Sequence, residues 1–312
     1  MTDQAERHAP STTYSGTMGE PAIVEVEEEA ADEGRKAKRK LGTFFWVAVG
    51  FLAFIVLAAL FADFLPLKDP GETFRGRSRE GPTGEFWFGN DNIGQDIFSR
   101  TIYGARVSVF VAGIATIIGI FFGSLIGLVA GYFRGRIDAI LTSSVDLLLA
   151  FPALVLALAL IIFFDNEGDN RRFWLTVTLG LLSIAPIARI VRSSVIAYSD
   201  REFVQAARVL GARDGRIMFK EVLPNVIPVI LSYSLVFMAV LVVVESAIGF
   251  LGLSVPPPTP TWGDMISKGR NELEGAAHIS LFPAGVLFLT VLALNYVGDK
   301  LREFFDVRES VI

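Results

Sequence analysis

Six stretches of the chain, residues 41–65, 108–132, 139–164, 173–197, 226–250 and 281–297, each carry a mostly apolar run of about 20 residues, the length that crosses a bilayer as a helix. With 52% hydrophobic and only 20% charged residues, there is too little polar surface to enclose these runs in one soluble core. Lipid supplies the missing apolar solvent, and backbone groups in lipid must bond within their own segment. The expected fold is therefore an all-α integral membrane protein with six transmembrane helices. The fourth run is the weakest, interrupted by Pro186 and Arg189.

Charge sets the expected orientation. Residues 1–40 lack a long apolar run, contain the acidic string "EVEEEAADE" that supplies much of the net charge of −5, and end in "RKAKRK". They read as a disordered cytoplasmic tail. The apolar run after them exceeds a signal peptide's short core and reads as a permanent first span. Alternation then places Arg134, Arg136, Lys300, Arg302 and Arg308 inside the cell, with both termini. The expected organisation is a tail (1–40), a first span (41–65), an extracytoplasmic connection (66–106), a core of five spans (107–300) and a cytoplasmic C-terminal tail (301–312).

Within the spans, some residues stand out against the apolar background. Gly119, Gly123, Gly127 and Gly131 recur every fourth residue and place a bare stripe on one helix face, for packing or for lining a pathway. Pro152 predicts a bend or a gate in the third span. Charge is costly in lipid, so Asp146, Arg189 and Glu245 are candidate intramembrane or pathway residues. Asp146 and Arg189 lie at similar depth and suit an interhelical ion pair. Glu245 suits either a watery cavity or capping by hydroxyls such as Ser246.

Between the fourth and fifth spans lies a polar insert, residues 199–225, including "REFVQAARVLGARDGRIMFKEVLPN". Ser199 and Glu202 have capping-box spacing, so a helix is expected to start near Asp200. Phe203, Ala206, Ala207 and Leu210 share a face at helical spacing, and the alanines permit close approach by another surface. Gly211 supplies a turn, Ile217 and Phe219 begin a second apolar patch, and Pro224 opens the next span. A helix, a turn and a helix on the cytoplasmic face are expected.

The segment "QAARVLGARDGRIMFKEVLPN" resembles the EAA loop of ATP-binding-cassette (ABC) importer permeases, in which Glu-Ala-Ala, three residues, Gly, nine residues, Ile, one residue and Leu-Pro recur. Ala206, Ala207, Gly211, Leu223 and Pro224 match; Gln205 replaces the usual Glu and Glu221 a frequent Ile. Gln keeps hydrogen-bonding capacity and loses the charge. "GNDNIGQDIFSRTIYGARVSVFVAG", "VDLLLAFPALVLALAL", "SAIGFLGLSVPPPTPTWGDMI" and "LFPAGVLFLTVLALNYVGDKLREFFD" are similar to the C-type permease subunit of oligopeptide, dipeptide and nickel importers. Together these segments cover residues 89–306.

The resemblance implies a type I ABC importer permease fold with a cytoplasmic coupling helix. It also implies four partners besides the lipid bilayer: a second homologous permease subunit, two ABC ATPase subunits and an extracytoplasmic solute-binding protein. Phe203, Gln205, Ala206, Ala207, Leu210, Gly211, Leu223 and Pro224 would then form the ATPase-coupling element, and the Pro-rich loop with Trp262 would meet the binding protein or brace the membrane interface. The sequence has no phosphate-binding loop of the G-x-x-x-x-G-K-[ST] type, so ATP and Mg would be used by the partner ATPases and no cofactor by this chain. It also has no Cys and only two His, which leaves no visible Cys-His or Ser-His arrangement and no metal cluster, so a non-catalytic subunit is expected. No feature points to nucleic acid. Short peptides are the expected solute. A permease for nickel or another small solute, and an ion-coupled secondary transporter using Asp146 and Glu245, are the alternatives.

Overall fold

The computed structural model describes residues 42–165 and 170–309, with side chains described as far as 305. The expected N-terminal tail therefore lies outside the described residues. Among the described residues, five helices are long and apolar enough to cross a membrane: α1 (Thr43–Leu60), α2 (Ile97–Phe133), α5 (Arg171–Ser199), α7 (Asp214–Phe250) and α9 (His278–Glu309). The sixth crossing is a broken one. Helices α3 (Gly135–Leu149) and α4 (Ala153–Phe164) meet at 84°, with Pro152 at the head of α4. Proline has no N–H to continue the ladder and its ring crowds the preceding turn, so the run parts there. Two short α-helices, α6 (Glu202–Val209) and α8 (Trp262–Gly269), and single 3-10 turns at Ala62–Phe64 and Arg270–Glu272 accompany the spans among the described residues. Among the described residues there is no strand, only an isolated bridge between Asn90 and Asp96.

Helix α2 begins at Ile97, well before the apolar run at 108, because the Asp96 carboxylate accepts from Ser99 N at 3.0 Å and caps it. At 37 residues it spans about 55 Å, more than a hydrocarbon core, so its first turns stand clear of lipid. Helix α5 runs parallel to it. Arg172 donates to Arg106 O at 3.0 Å near their starts, and Arg134 donates to Asp200 at 2.8 Å past their ends. The broken α3–α4 pair thus carries the chain back across, and counts as one span.

The glycine stripe of α2 is where α5 lies. A Cβ added at Gly123 would sit 2.8 Å from Ile184 O, at Gly127 2.6 Å from Ala188 O, and at Gly131 2.8 Å from Arg192 O; at Gly119 it would collide with Ser183. The two backbones approach as closely as small residues in membrane helices allow. This packing also explains why the fourth run is the least apolar in sequence: 61% of its most apolar stretch is buried in protein, against 22% for α1. Ser183 can be tolerated there because its hydroxyl bonds Gly180 O at 2.7 Å and Ala115 O at 3.1 Å.

The two largest apolar clusters among the described residues fill most of the bundle. One, toward the connection end, joins Ile55, Val111, Leu179, Val242, Ile248, Trp262 and Leu294. The other, toward the insert end, joins Leu128, Tyr132, Val191, Val195, Val204, Ile217, Met218, Val222 and Val226. Large apolar side chains such as Phe44, Trp46, Phe54, Phe121, Phe163 and Leu292 stay exposed on the outside, as a lipid-covered surface requires.

The connection between α1 and α2 folds over its end of the bundle. Lys68 Nζ stands 3.2 Å from the Phe86 ring centroid, Phe88 stacks on Phe282 at 4.3 Å, and Arg79 pairs with Glu272 at 2.7 Å. Trp262 corrects an expectation here. It is fully buried, and its indole N–H donates to Thr101 O at 2.9 Å, so it cannot meet a binding protein or sit among headgroups. Gly104 makes room for it: a Cβ there would stand 3.2 Å from the Trp262 ring.

Candidate functional site

The insert folds as α6, a tight turn, and the start of α7. The expected capping box is absent. Ser199 is still the last residue of α5, buried, with its hydroxyl unpartnered among the described residues; α6 begins after Arg201, which carries no capping acceptor. A serine held in helical geometry and facing the core cannot turn to cap the next helix. The turn at the far end of α6 is a Schellman motif: Gly211 has φ +79°, its N–H donates to Arg208 O at 2.9 Å, and Ala212 N donates to Ala207 O at 3.0 Å. A Cβ at Gly211 would touch nothing, so glycine is needed there for its backbone conformation and not for space.

One residue that sequence reasoning missed holds α6 down. Val204 is fully buried against Ile217, Met218 and Val222, while Ala207 packs partly against the same cluster. The expected shared face therefore divides: Phe203, Ala206 and Leu210 are exposed and Ala207 turns inward, with Gln205 exposed beside them. Phe203 and Val204 are both apolar in an eight-residue helix, so periodicity could not choose between them. Val209 and Leu210 are 88% and 86% exposed, leaving two large aliphatic side chains uncovered at the tip of the insert.

Beyond the turn, the helix widens into a π segment, Ile217–Val222, with Leu223 N bonded to Met218 O. Pro224 follows directly. A proline lacks the donor for the carbonyl four residues back and crowds it, and the wider turn just before it accommodates this. Ile217 and Met218 are buried, Phe219 is exposed, and Leu223 packs against the insert-end core while Pro224 is exposed.

Polar bonds fasten the insert to the ends of α2 and α5. Tyr132 Oη donates to Asp214 Oδ1 at 2.8 Å, Arg208 lies over the Tyr132 ring at 5.6 Å, and Arg134 reaches both Asp200 Oδ1 and Oδ2 at 2.8 Å. Together with Val204 in the core, these contacts join the insert to the glycine-packed α2–α5 pair.

The intramembrane charges fall into two settings. Asp146 and Arg189 come together: Nη2 and Nε lie 2.6 and 3.1 Å from Asp146 Oδ1, with the two side chains 49% and 53% exposed. A second α3–α5 pair, Asp138 with Arg192 at 2.5 Å, is more covered. Glu245 is fully buried. Ser254 Oγ donates to its Oε1 at 2.9 Å and Ser246 Oγ to its Oε2 at 3.5 Å, while Ser108 faces the same carboxylate and accepts from Trp262 N at 3.4 Å. Hydroxyls of Ser108, Ser246 and Ser254 surround this carboxylate.

The family described as binding-protein-dependent transport system inner membrane component matches residues 123–311. The chain is 35% identical over 285 residues to a dipeptide transport system permease protein, DppC, of Alkalihalophilus pseudofirmus, covering 90% of this chain and 92% of that one. It is 34% identical over 262 residues to a glutathione transport system permease protein, GsiD, of Pectobacterium atrosepticum, covering 83% and 86%. In fold it is similar to a chain of the inward-facing MetNI methionine ABC transporter, with a TM-score of 0.56 at 17% identity over 67% of this chain and 97% of that one. The match across the glycine-packed helices, the insert and the following spans makes this a multi-pass inner-membrane protein, and the chain belongs to the binding-protein-dependent transport system inner membrane component family, the permease subunits of ABC importers.

Proposed function

We propose that this chain forms one half of the translocation pathway for short peptides, paired with a second homologous permease and driven by two ABC ATPase subunits on the cytoplasmic side. The observation that carries this reading is the insert. Its tip exposes Val209 and Leu210 beside Gln205 and Phe203, while its base is bonded to α2 and packed on α5. A surface that is apolar at the tip and rigid at the base can receive a push from a docked ATPase and transmit it to the spans. The element from Phe203 to Gly211, with Leu223 and Pro224 behind it, is the coupling element in this reading. ATP and Mg are used by the ATPase subunits, and this chain performs no catalysis and holds no cofactor.

The insert then lies in the cytoplasm, with both termini on its side of the membrane. The connection 66–96, folded over the opposite end, faces the extracytoplasmic binding protein. Peptides are favoured as solute because relatives that are 35% and 34% identical carry dipeptide and glutathione transport in their names. The test is to purify the importer assembled with its ATPases and binding protein, and to identify by mass spectrometry the bound ligand that stimulates ATP hydrolysis. A short peptide is expected. Ion-gradient-driven uptake by this chain alone would overturn the importer reading, and a bound metal ion or sugar would overturn the peptide assignment.

A further inference from the structure

Two features of the α3–α5 face are incompatible with lipid. The first is the Asp146–Arg189 pair. Arg189 stands roughly 15 Å from the last residue of α5 and roughly 27 Å from the first, at 1.5 Å per residue. A hydrocarbon core of about 30 Å centred on that helix encloses it. Yet the pair is about half exposed. The second is the α3–α4 break one turn beyond Asp146, where Ala150, Phe151 and Pro152 are all exposed. Non-helical backbone at membrane depth is tolerated only against protein or water, and so is an exposed ion pair.

The pair itself points to water. Both guanidinium contacts go to the same carboxylate oxygen, which leaves Asp146 Oδ2 and Arg189 Nη1 with hydrogen-bonding capacity to spare, although the Arg192 charge also acts on Asp146. Exposed hydroxyls flank it, Ser143 and Ser144 on α3 and Ser193 on α5. Ser144 and Ser193 already donate to Ile140 O and Ile190 O of their own helices, at 2.9 and 2.8 Å, but a dry contact with another helix would desolvate the ion pair itself. A solute bearing one carboxylate and one ammonium group can replace each partner in turn, so that neither charge is left alone.

Building on the importer reading, we propose that Asp146 and Arg189 form a solute-binding rung of the pathway for zwitterions, the solute carboxylate meeting Arg189 and its ammonium group Asp146. Closed, the two residues hold each other; occupied, each holds one end of the solute.

The chain has no cysteine, which makes the test direct. Ser143→Cys and, as a lipid-facing control, Phe54→Cys are introduced singly into the assembled importer in proteoliposomes and treated with a membrane-impermeant sulfonate thiol reagent. Expected are labelling at 143 and none at 54, loss of the 143 labelling when a zwitterionic dipeptide and its binding protein are supplied with a non-hydrolysable ATP analogue, and restored labelling in the Asp146→Asn background. Uptake by Asp146→Asn is expected to fall about tenfold, between the effects of breaking exposed and buried pairs. A transporting complex whose residue 143 stays as unreactive as residue 54 would place the pair against a partner helix and overturn the proposal. Labelling that the dipeptide never blocks would overturn it equally. A wild-type complex with no ATP-driven uptake is a different result, and would sink the importer reading itself.

Discussion

Tyr132 and Asp214 lie 82 residues apart in sequence and 2.8 Å apart in space, so the end of α2 holds the first residue of α7 directly. This bond bypasses α6 and ties the exit of the insert to a helix that the insert does not continue. If the insert transmits a push, Tyr132→Phe should loosen that tie while leaving the aromatic ring in the core. The loss in stability should be small, about 1 kcal/mol for a single partly exposed hydrogen bond. The transport measurement is more telling: solute moved per ATP hydrolysed should fall while hydrolysis continues. An unchanged ratio would show that the bond carries no motion.

The α2–α5 contact predicts a sharper effect. At Gly127 a methyl group would already lie 2.6 Å from Ala188 O and 2.9 Å from Arg192 N, both backbone atoms that cannot rotate away. Gly127→Leu should therefore separate the helices, at about 1–3 kcal/mol or more for overpacking, and reduce the yield of monodisperse protein in detergent. Gly285→Ala, where a Cβ would meet nothing, serves as the control and should leave the yield unchanged.

These contacts also separate what sequence could carry from what it could not. The spans and the four-residue glycine period are legible because length in lipid and helix repeat are local properties, and the structure sets α5 against that stripe. The start of α2 was marked only by Asp96, a single capping carboxylate before polar turns that hydropathy ignores. Ser199 misled because the spacing of a capping box does not say whether the serine still belongs to the helix before it. Trp262 misled because a tryptophan after four prolines reads as surface, and only the fold brings it beneath α2 at Gly104. Which of Phe203 and Val204 faces inward, and the π segment before Pro224, depend on tertiary contacts and geometry that no repeat in the sequence encodes.

Leu210 tests the docking surface apart from folding. Being 86% exposed, it contributes almost nothing to the core of the isolated chain. Leu210→Asp should leave membrane insertion and thermal stability within about 0.5 kcal/mol of the parent, yet reduce co-purification of the ATPase. Gly211→Val acts differently, since a branched side chain at φ +79° strains the turn by about 1–2 kcal/mol. If ATPase co-purification survives both changes, α6 is not the docking element.

Gln205 offers a test of charge alone. It is exposed on α6 and stands where the EAA pattern that this segment resembles has Glu, with Arg201 and Arg208 on either side. Gln205→Glu adds a carboxylate without altering shape, so any new attraction to a basic ATPase residue should weaken as salt rises from low to physiological strength, where the Debye length is about 8 Å. Titrating ATPase association at several salt concentrations reads this directly. Identical salt slopes for the two proteins would mean that position 205 meets no charge on its partner.

Glu245 joins three segments of the connection end: its own helix α7, Ser254 in the following loop, and Ser108 on α2. Two changes separate the need for a charge from the need for an acceptor. Glu245→Gln keeps an oxygen for the Ser254 hydroxyl and preserves volume, so the loop should stay anchored. Glu245→Ala removes the acceptor and opens a gap beside buried hydroxyls, at about 1–3 kcal/mol for each donor left unpaired. The thermal midpoint should therefore order as parent, then Gln, then Ala, and proteolysis in the 251–261 loop should rise only in the last. If Gln destabilises as much as Ala, the carboxylate charge itself holds the three segments together, and a reading based on hydroxyl donors alone fails.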